Sequence, residues 1–129
     1  MPAVSRIGDA AVPHPTCFMP HALVTGSGSV FVNGRPVGFV GCLTSLHTFR
    51  VGKWCVVHMG QVSLGSVTVR VHGLAMARIT SVLVGTATSW QYPAAMPPGI
   101  LLPPLPSGLP CMTMAYGSPT VFAGGAPGP

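Results

Sequence analysis

The chain has 129 residues, which is enough for one domain with a modest core and too few for two. Charged residues make up only 5% of it, and Asp9 is the only acidic side chain. This composition excludes, within this chain, a mechanism in which two carboxylates act as acid and base. The six cationic side chains are scattered and no aromatic residues alternate with them, so we expect no nucleic-acid partner.

The mean hydropathy of +0.58 raises the question of a membrane. Gly, Pro, Ser or Thr interrupts every apolar stretch well before the roughly 18 residues that a spanning helix requires. The first residues also lack the apolar segment of a secretory signal. A protein with so little charge has few means of keeping its surfaces apart from one another. We therefore expect a partner in a larger assembly to cover much of its surface.

Glycine and proline punctuate the chain in two different ways. Up to about residue 81 they separate short valine-rich runs, which predicts strands and tight turns. Residues 82–110 contain many prolines, which predict an irregular, partly polyproline-like insertion without helix or central strand. Three placements of this insertion stay open: along the side of the domain, against a neighbouring protein, or as an extra hairpin near Trp90 and Tyr92. No segment has the pattern of a long amphipathic helix, so the predicted class is all-β.

An internal repeat predicts the architecture. Residues 26–37 recur as residues 65–76 without a gap, and a third copy begins at Gly117. Each copy has a Gly-Ser turn, a short valine-rich strand and a two-residue turn, at Asn33-Gly34, His72-Gly73 and Gly124-Gly125. Asn-Gly is the signal of a type I′ hairpin turn, because both central residues need a positive φ.

A shorter element is also shared, as Arg6-Ile7-Gly8-Asp9, Phe39-Val40-Gly41-Cys42 and Arg78-Ile79-Thr80-Ser81. Single hairpin units of this size cannot bury their apolar faces alone, so three units are expected to pack around one axis with pseudo-threefold symmetry. The prediction is a single domain, 1–129, with repeat units at about 4–41, 42–81 and 111–125 and an insertion at 82–110.

These units resemble the PAAR-repeat proteins over roughly residues 4–81 and 111–125. Phe18-Met19-Pro20, shortly after His14, is similar to a Phe-Pro-Pro that many members have there. The resemblance implies a small cone that caps a trimeric β-helical spike, one monomer per trimer, in phage tails, type VI secretion systems and related particles. It also implies synthesis in the bacterial cytoplasm, a final place at the tip of a virion tail or injection particle, and transient contact with a target cell envelope.

The family's apex is held by a metal, usually zinc, bound by three His and one Cys. On this resemblance the ligands are His14, His47, His58 and Cys111, with iron as the alternative metal. A His₃Cys set suits tetrahedral Zn²⁺ and leaves no open coordination position, as in structural sites. Binding to such a site stabilises the fold, because the unfolded chain has no preformed site.

The spacing of each ligand supports the assignment. His58 lies seven residues before Gly65, at the place of the family's second-repeat apical His, and His47 lies five residues after Cys42. Cys111 lies six residues before Gly117, at the place of the third repeat's single Cys. The fourth ligand, His14, precedes Phe18 with one residue more than is usual.

Three other residues stay open as ligands: His21, Cys17 and Cys55. Cys55 and His58 form a Cys-x-x-His pair that could chelate by itself, and Cys17 lies close to His14. His21 replaces His14 if the extra residue shifts the loop.

Two further residues are expected to have structural roles. Cys42 is expected to pack as a small hydrophobic residue, and His72 to be an exposed turn residue. The four cysteines do not imply disulfides in a chain without a secretory signal.

The function expected from these features is mechanical, with no catalysis and no small-molecule substrate. A Cys–His pair, or a zinc ion with three protein ligands, could in principle support hydrolysis, but only Asp9 could act as a carboxylate base. Neither a Gly-Lys phosphate loop nor a nucleophile elbow is present. The alternatives are a plain structural tail or baseplate subunit without metal and, less favoured, a small zinc-dependent hydrolase.

Overall fold

The computed structural model describes residues 1–12, 21–51, 54–91, 109–124 and 127–128. These residues form nine short strands and no helix, so the all-β prediction is confirmed for them. None of them belongs to a helix long and apolar enough to cross a membrane. The strands are β1 Phe31–Val32, β2 Arg35–Pro36, β3 His47–Val51, β4 Trp54–Val62, β5 Gly65–Val71, β6 Leu74–Met76, β7 Val82–Gln91, β8 Leu109–Thr113 and β9 Pro127–Gly128.

The strands form three antiparallel sheets. β1 and β2 make a hairpin, β3-β4-β7-β8 is the order of a four-stranded sheet, and β6-β5-β9 is the order of a three-stranded sheet. Short bridges outside these strands connect the sheets. Antiparallel strand pairs and these bridges thus hold most of the described chain together.

The prediction that residues 82–110 are irregular is wrong for their first part. β7 is ten residues long and lies between β4 and β8, in the interior of its sheet. It contains no proline, so its N–H groups are available to both neighbours. Pro110 lies in β8, the last strand of the sheet order, where a missing N–H group is tolerated. Residues 92–108, with the remaining prolines, lie outside the described residues.

The predicted type I′ turns are confirmed in the first two units. Asn33 and Gly34 have φ values of 53° and 76°, and His72 and Gly73 have φ values of 53° and 80°. Two consecutive positive φ values are the mark of this turn, and its twist matches that of the flanking strands. The third turn includes Gly125, which lies outside the described residues.

The shorter shared element forms the same turn three times, at residues 6–9, 39–42 and 78–81. In each turn the first carbonyl accepts a hydrogen bond from the fourth N–H, at 3.0, 2.9 and 2.9 Å. The third residue has a positive φ, of 90° at Gly8, 102° at Gly41 and 74° at Thr80, as in a type II turn. The side chain of the fourth residue accepts a bond from the first N–H, at 2.8, 3.4 and 2.9 Å.

A ring of backbone hydrogen bonds joins the residues that precede these turns, Ser5, Gly38 and Ala77. The Ser5 N–H donates to the Ala77 carbonyl at 3.0 Å, and the Ala77 N–H donates to the Gly38 carbonyl at 2.9 Å. The Gly38 N–H donates to the Ser5 carbonyl at 2.9 Å, which closes the ring. Each residue donates to one partner and accepts from the other, so the segments that precede the three shared turns are joined in cyclic order.

The third unit takes one strand of its hairpin from the beginning of the chain. The Val4 N–H donates to the Val121 carbonyl at 3.0 Å, and the Ser118 N–H donates to the Val4 carbonyl at 2.7 Å. The first unit has the same pair of bonds within its own hairpin, from Val37 to Val30 and from Ser27 to Val37. Residues 3–4 therefore complete the copy of which the sequence shows only one strand.

The core lies between the three units. Leu23, Val62 and Met114 occupy matching places, since each carbonyl accepts a bond from the third residue of a shared turn, at 2.8 to 2.9 Å. All three side chains are at most 1% exposed. Cys42 belongs to the same apolar cluster as a free, buried cysteine, which confirms its predicted packing.

Candidate functional site

His58 lies on the inner side of β4. Along this strand His58, Gly60 and Val62 are buried, whereas Val57, Met59 and Gln61 are more exposed. Such alternation places every second residue on the face of the strand that covers the core. His58 is 0% exposed and continues the buried row that begins at Val62.

His21 lies close to the same end of the core. The Ala11 N–H donates to the His21 carbonyl at 3.2 Å, and the Thr44 N–H donates to the Gly60 carbonyl at 2.8 Å in the matching place of the second unit. His21 is 2% exposed and lies two residues before Leu23, as Gly60 lies two residues before Val62. Two imidazole groups are therefore buried beyond the layer of Leu23 and its equivalents.

The strand register brings two of the predicted ligands together. His47 lies directly opposite His58 in the β3–β4 ladder. On its other side β4 pairs with β7, and this ladder contains an irregularity between Val57 and His58. Such bulges often change the direction of a side chain next to a functional site.

The other candidate ligands lie further away or outside the described residues. Cys111 belongs to β8, so β7 lies between it and the strand of His58. Cys55 lies opposite Arg50 in the β3–β4 ladder. His14 and Cys17 are outside the described residues.

Within the described part of the chain, no group of three or more His, Cys, Asp or Glu residues is placed to hold a metal ion. The two buried imidazoles are suitable zinc donors, and a complete site would need further donors from β3, from β8 or from residues 13–20. Zinc binding by the predicted quartet, or by the alternatives His21, Cys17 and Cys55, stays a prediction.

The two ends of the second unit differ in character. β4 leads into β5 through residues 63–64, and β6 leads into β7 through residues 77–81. The β5–β6 and β4–β7 ladders thus form one long antiparallel arrangement. The turn at His72 lies at one end, which we call the hairpin end, and His58 lies toward the other, the histidine end.

The hairpins of all three units have exposed apolar side chains. Their exposed fractions range from 38% to 55%. The residues are Phe31 in the first unit, Val67 and Leu74 in the second, and Val121 and Phe122 in the third. Each hairpin thus contributes exposed apolar side chains, although others, such as Leu46 and Tyr116, are exposed elsewhere.

A serine from each unit contacts the hairpin turn of the next. The Ser27 hydroxyl lies 2.7 Å from Nε2 of His72, and the Ser66 hydroxyl donates to the Gly124 carbonyl. The Ser118 hydroxyl donates to Oδ1 of Asn33, which returns the series to the first unit. The Gly-Ser of the repeat was the sequence signal for these contacts, although it indicated only a turn.

His72 is exposed in its turn, as predicted, but it also joins two units. Its ring meets the ring of Phe39 edge to face, with centroids 5.7 Å apart. Together with the Ser27 contact, this packing gives an exposed turn residue a structural role between the first two units.

Asp9 is the centre of a buried ionic cluster that the sequence did not predict beyond its turn. Arg6 donates to both of its carboxylate oxygens, from Nε at 3.0 Å and from Nη2 at 3.1 Å. Arg35 adds a second ion pair at 3.2 Å. Nη1 of Arg6 donates to Oδ1 of Asn33 at 3.0 Å, so the cluster also supports the first hairpin turn.

Comparison of the chain with family models, with curated proteins and with solved structures gives no match. A functional conclusion therefore depends on the residues and the geometry of this chain.

Proposed function

We propose that the chain is the tip of a contractile injection spike, a PAAR-like cone with pseudo-threefold symmetry that caps a trimeric β-helical spike protein. The observation that supports this proposal most is the closed ring of hydrogen bonds among Ser5, Gly38 and Ala77. A monomer built from three similar units in cyclic order can bind a threefold partner through three nearly equivalent contacts. One chain per trimer is the stoichiometry that such a match favours.

The hairpin end is the proposed base of the cone. Exposed apolar side chains from all three units lie there, including Phe31, Leu74 and Phe122. Burying each of them against a partner contributes on the order of 1 kcal/mol or more. Strand edges at the same end are a liability unless they are covered, and strand addition to the partner would satisfy them.

The histidine end is the proposed apex. His14, His47, His58 and Cys111 would hold Zn²⁺ as a closed structural site, with His21, Cys17 and Cys55 as alternative donors and iron as the alternative metal. The support is the burial of His58 and His21 beyond the last apolar layer, and the place of His47 opposite His58. Such a site would cross-link the strands at the level of His58, beyond which β3 and β4 continue to Val51 and Trp54.

This proposal assigns the chain a mechanical role at the tip of a virion tail or related particle, where it would contact a target envelope during penetration. It assigns no catalytic role, because the carboxylate of Asp9 is buried and engaged by Arg6 and Arg35. A plain tail or baseplate subunit without metal is the second candidate, favoured by the scarcity of charge and the apolar hairpin end.

The stoichiometry of the complex tests the proposal. The chain is co-expressed with a trimeric β-helical spike protein, and the purified complex is weighed by native mass spectrometry. One chain per spike trimer is the expected result, and replacing Phe31 by Asp should weaken the complex without unfolding the chain. Gln61→Glu, which adds a charge at an exposed site toward the histidine end, is the matched control. A complex with three chains per trimer, or none at all, contradicts the proposal.

A further inference from the structure

Arg78 is a buried cation with an incomplete set of partners. The residue is 3% exposed, and its Nη1 donates to the Ala123 carbonyl at 2.9 Å. Its Nε is buried and has no hydrogen-bond partner among the described residues. A guanidinium group stays charged at all ordinary pH values, so burial without a counter-charge is costly.

The matching position in the first unit shows what is missing. Asp9 accepts the backbone N–H of Arg6 at 2.8 Å, and it also binds Nε and Nη2 of the same residue at 3.0 and 3.1 Å. In the second unit Ser81 takes the place of Asp9 and accepts the backbone N–H of Arg78 at 2.9 Å. Ser81 cannot also bind the guanidinium group of Arg78, because its side chain is shorter than that of aspartate and has no carboxylate to reach Nε.

The third example of the turn, at residues 39–42, contains no buried charge that would need a partner. There the first and fourth residues are Phe39 and Cys42, so neither a cation nor a carboxylate is present. The chain also has no acidic side chain besides Asp9, which already binds Arg6 and Arg35. Arg78 is thus the one arginine of these turns whose turn lacks a carboxylate.

We propose that a small monovalent anion, of the halide or formate class, binds between Nε of Arg78 and the hydroxyl of Ser81. The Ser81 oxygen accepts the backbone N–H, so its own proton is available to the anion. The difference in size between aspartate and serine sets the size of the ligand. Burial of both residues, at 3% and 0% exposure, excludes a protein segment or a phosphate chain as the occupant.

Thermal unfolding of the purified chain tests this site, which is independent of the proposed function. The probe is sodium chloride, compared with sodium gluconate at the same ionic strength, because gluconate is too large to enter. Chloride should raise Tm by about 3 to 6 °C as it saturates the site, since a ligand that binds only the folded state stabilises it. An equal Tm in the two salts overturns the proposal.

The Ser81→Asp variant supplies the carboxylate from the chain itself. We expect its Tm in gluconate to rise to at least the chloride value of the unmodified chain, and its response to chloride to disappear. Gln61→Glu adds one negative charge at an exposed position and should keep the full chloride response. If Ser81→Asp lowers Tm, or leaves the chloride response intact, Arg78 does not bind an anion at this place.

Bromide gives a direct readout that does not depend on stability. Crystals grown in sodium bromide should show an anomalous scattering peak within hydrogen-bond distance of Nε of Arg78, and crystals of Ser81→Asp should lack it. A water molecule there, without anomalous signal at high bromide concentration, overturns the proposal.

Discussion

The hydroxyl of Ser118 donates a hydrogen bond to Oδ1 of Asn33, 85 residues earlier in the chain. The hydroxyl oxygen of Ser118 itself accepts the N–H groups of Thr120 and Val121, at 3.1 and 2.9 Å. One hydroxyl group therefore fixes the shape of its own turn and joins the third unit to the first. Ser27 does the same for its own turn and for His72 in the second unit.

Removal of this hydroxyl should destabilise the fold. Ser118→Ala leaves two turn N–H groups without their partner and removes one of the two donors to Oδ1 of Asn33, the other being Arg6. Ser118 is 1% exposed, so water cannot readily replace the lost bonds. We expect a loss of about 2 kcal/mol, because unsatisfied buried polar groups cost more than the bond itself contributes. Urea unfolding followed by circular dichroism measures it. Ser29→Ala, at an exposed serine, should change stability by less than about 0.5 kcal/mol, and equal effects of the two changes would contradict this role.

At the hairpin turn of the second unit, His72 should be replaceable by asparagine, the residue that the first unit has at the matching position, Asn33. In His72→Asn the new side chain tolerates the φ of 53° and offers an amide oxygen to Ser27, as Asn33 does to Ser118. Its stability should lie close to that of the unmodified chain in thermal unfolding, because the bond to Ser27 and the better tolerance of a positive φ offset the lost contact with Phe39. His72→Val, with a β-branched side chain and no acceptor, should cost about 2 kcal/mol. If valine is tolerated as well as asparagine, the contact with Ser27 is unimportant.

The close approach of residues 3–4 to the third unit should require a glycine at position 117. A Cβ at Gly117 would lie 2.7 Å from the Val4 carbonyl oxygen and 2.9 Å from that of Ala3, so Gly117→Ala forces the strand away. We expect a loss of about 2 to 3 kcal/mol and faster amide exchange at Val4, measured by NMR. Gly28→Ala is the control, since a Cβ there meets nothing within 4 Å. Similar losses in both variants would argue against the contact.

The two arginines of the ionic cluster should differ in effect. Arg6→Gln should lower the free energy of unfolding by about 3 kcal/mol, because the buried Asp9 carboxylate loses the residue that donates to both of its oxygens. The Arg35 side chain is 38% exposed, so solvent screens its ion pair. Arg35→Gln also removes the bonds to the Ile7 carbonyl, and we expect it to cost less than Arg6→Gln. Chemical denaturation of both variants makes the comparison. A larger effect at Arg35 would contradict the assignment of Arg6 as the main partner.

Metal analysis tests the proposed apex. Elemental analysis of the purified chain should find about one zinc per molecule, and chelation should lower Tm by more than about 10 °C. His58→Asn should lose the metal, whereas His72→Asn, at the opposite end, should keep it. Zinc content unchanged by His58→Asn removes this residue from the site, and an unchanged Tm after chelation favours the plain structural subunit.

Local patterns in the sequence predicted the first two hairpin turns correctly. A pair such as Asn33-Gly34 restricts the backbone strongly by itself, so its turn type follows from two residues. The shared four-residue element was likewise visible, since its third and fourth positions determine the turn. The proline content of residues 82–110 did not predict β7, because the prolines begin at Pro93, after this strand has ended.

The sequence did not predict the long-range pairing by which residues 3–4 complete the third hairpin. The pairing of Val4 with Val121 depends on where the three units bring distant segments together, and hydrophobic periodicity does not encode such a contact. A signal was nevertheless present: Val4 precedes Arg6 by the same distance at which Val37 precedes Phe39. The burial of His21 and His58 also followed from closure, because only the assembled units form an interior.

The origin of the third hairpin from distant parts of the chain has a consequence for biosynthesis. Residues 3–4 leave the ribosome long before residues 117–123, which are their pairing partners. In the nascent protein, residues 3–4 therefore have no pairing partner at first. Their backbone N–H and C=O groups are exposed to water or to a neighbouring copy. The third hairpin cannot form until residues 117–123 have been synthesised, and exchange of residues 3–4 between two nascent molecules is the misfolding route that this connectivity favours.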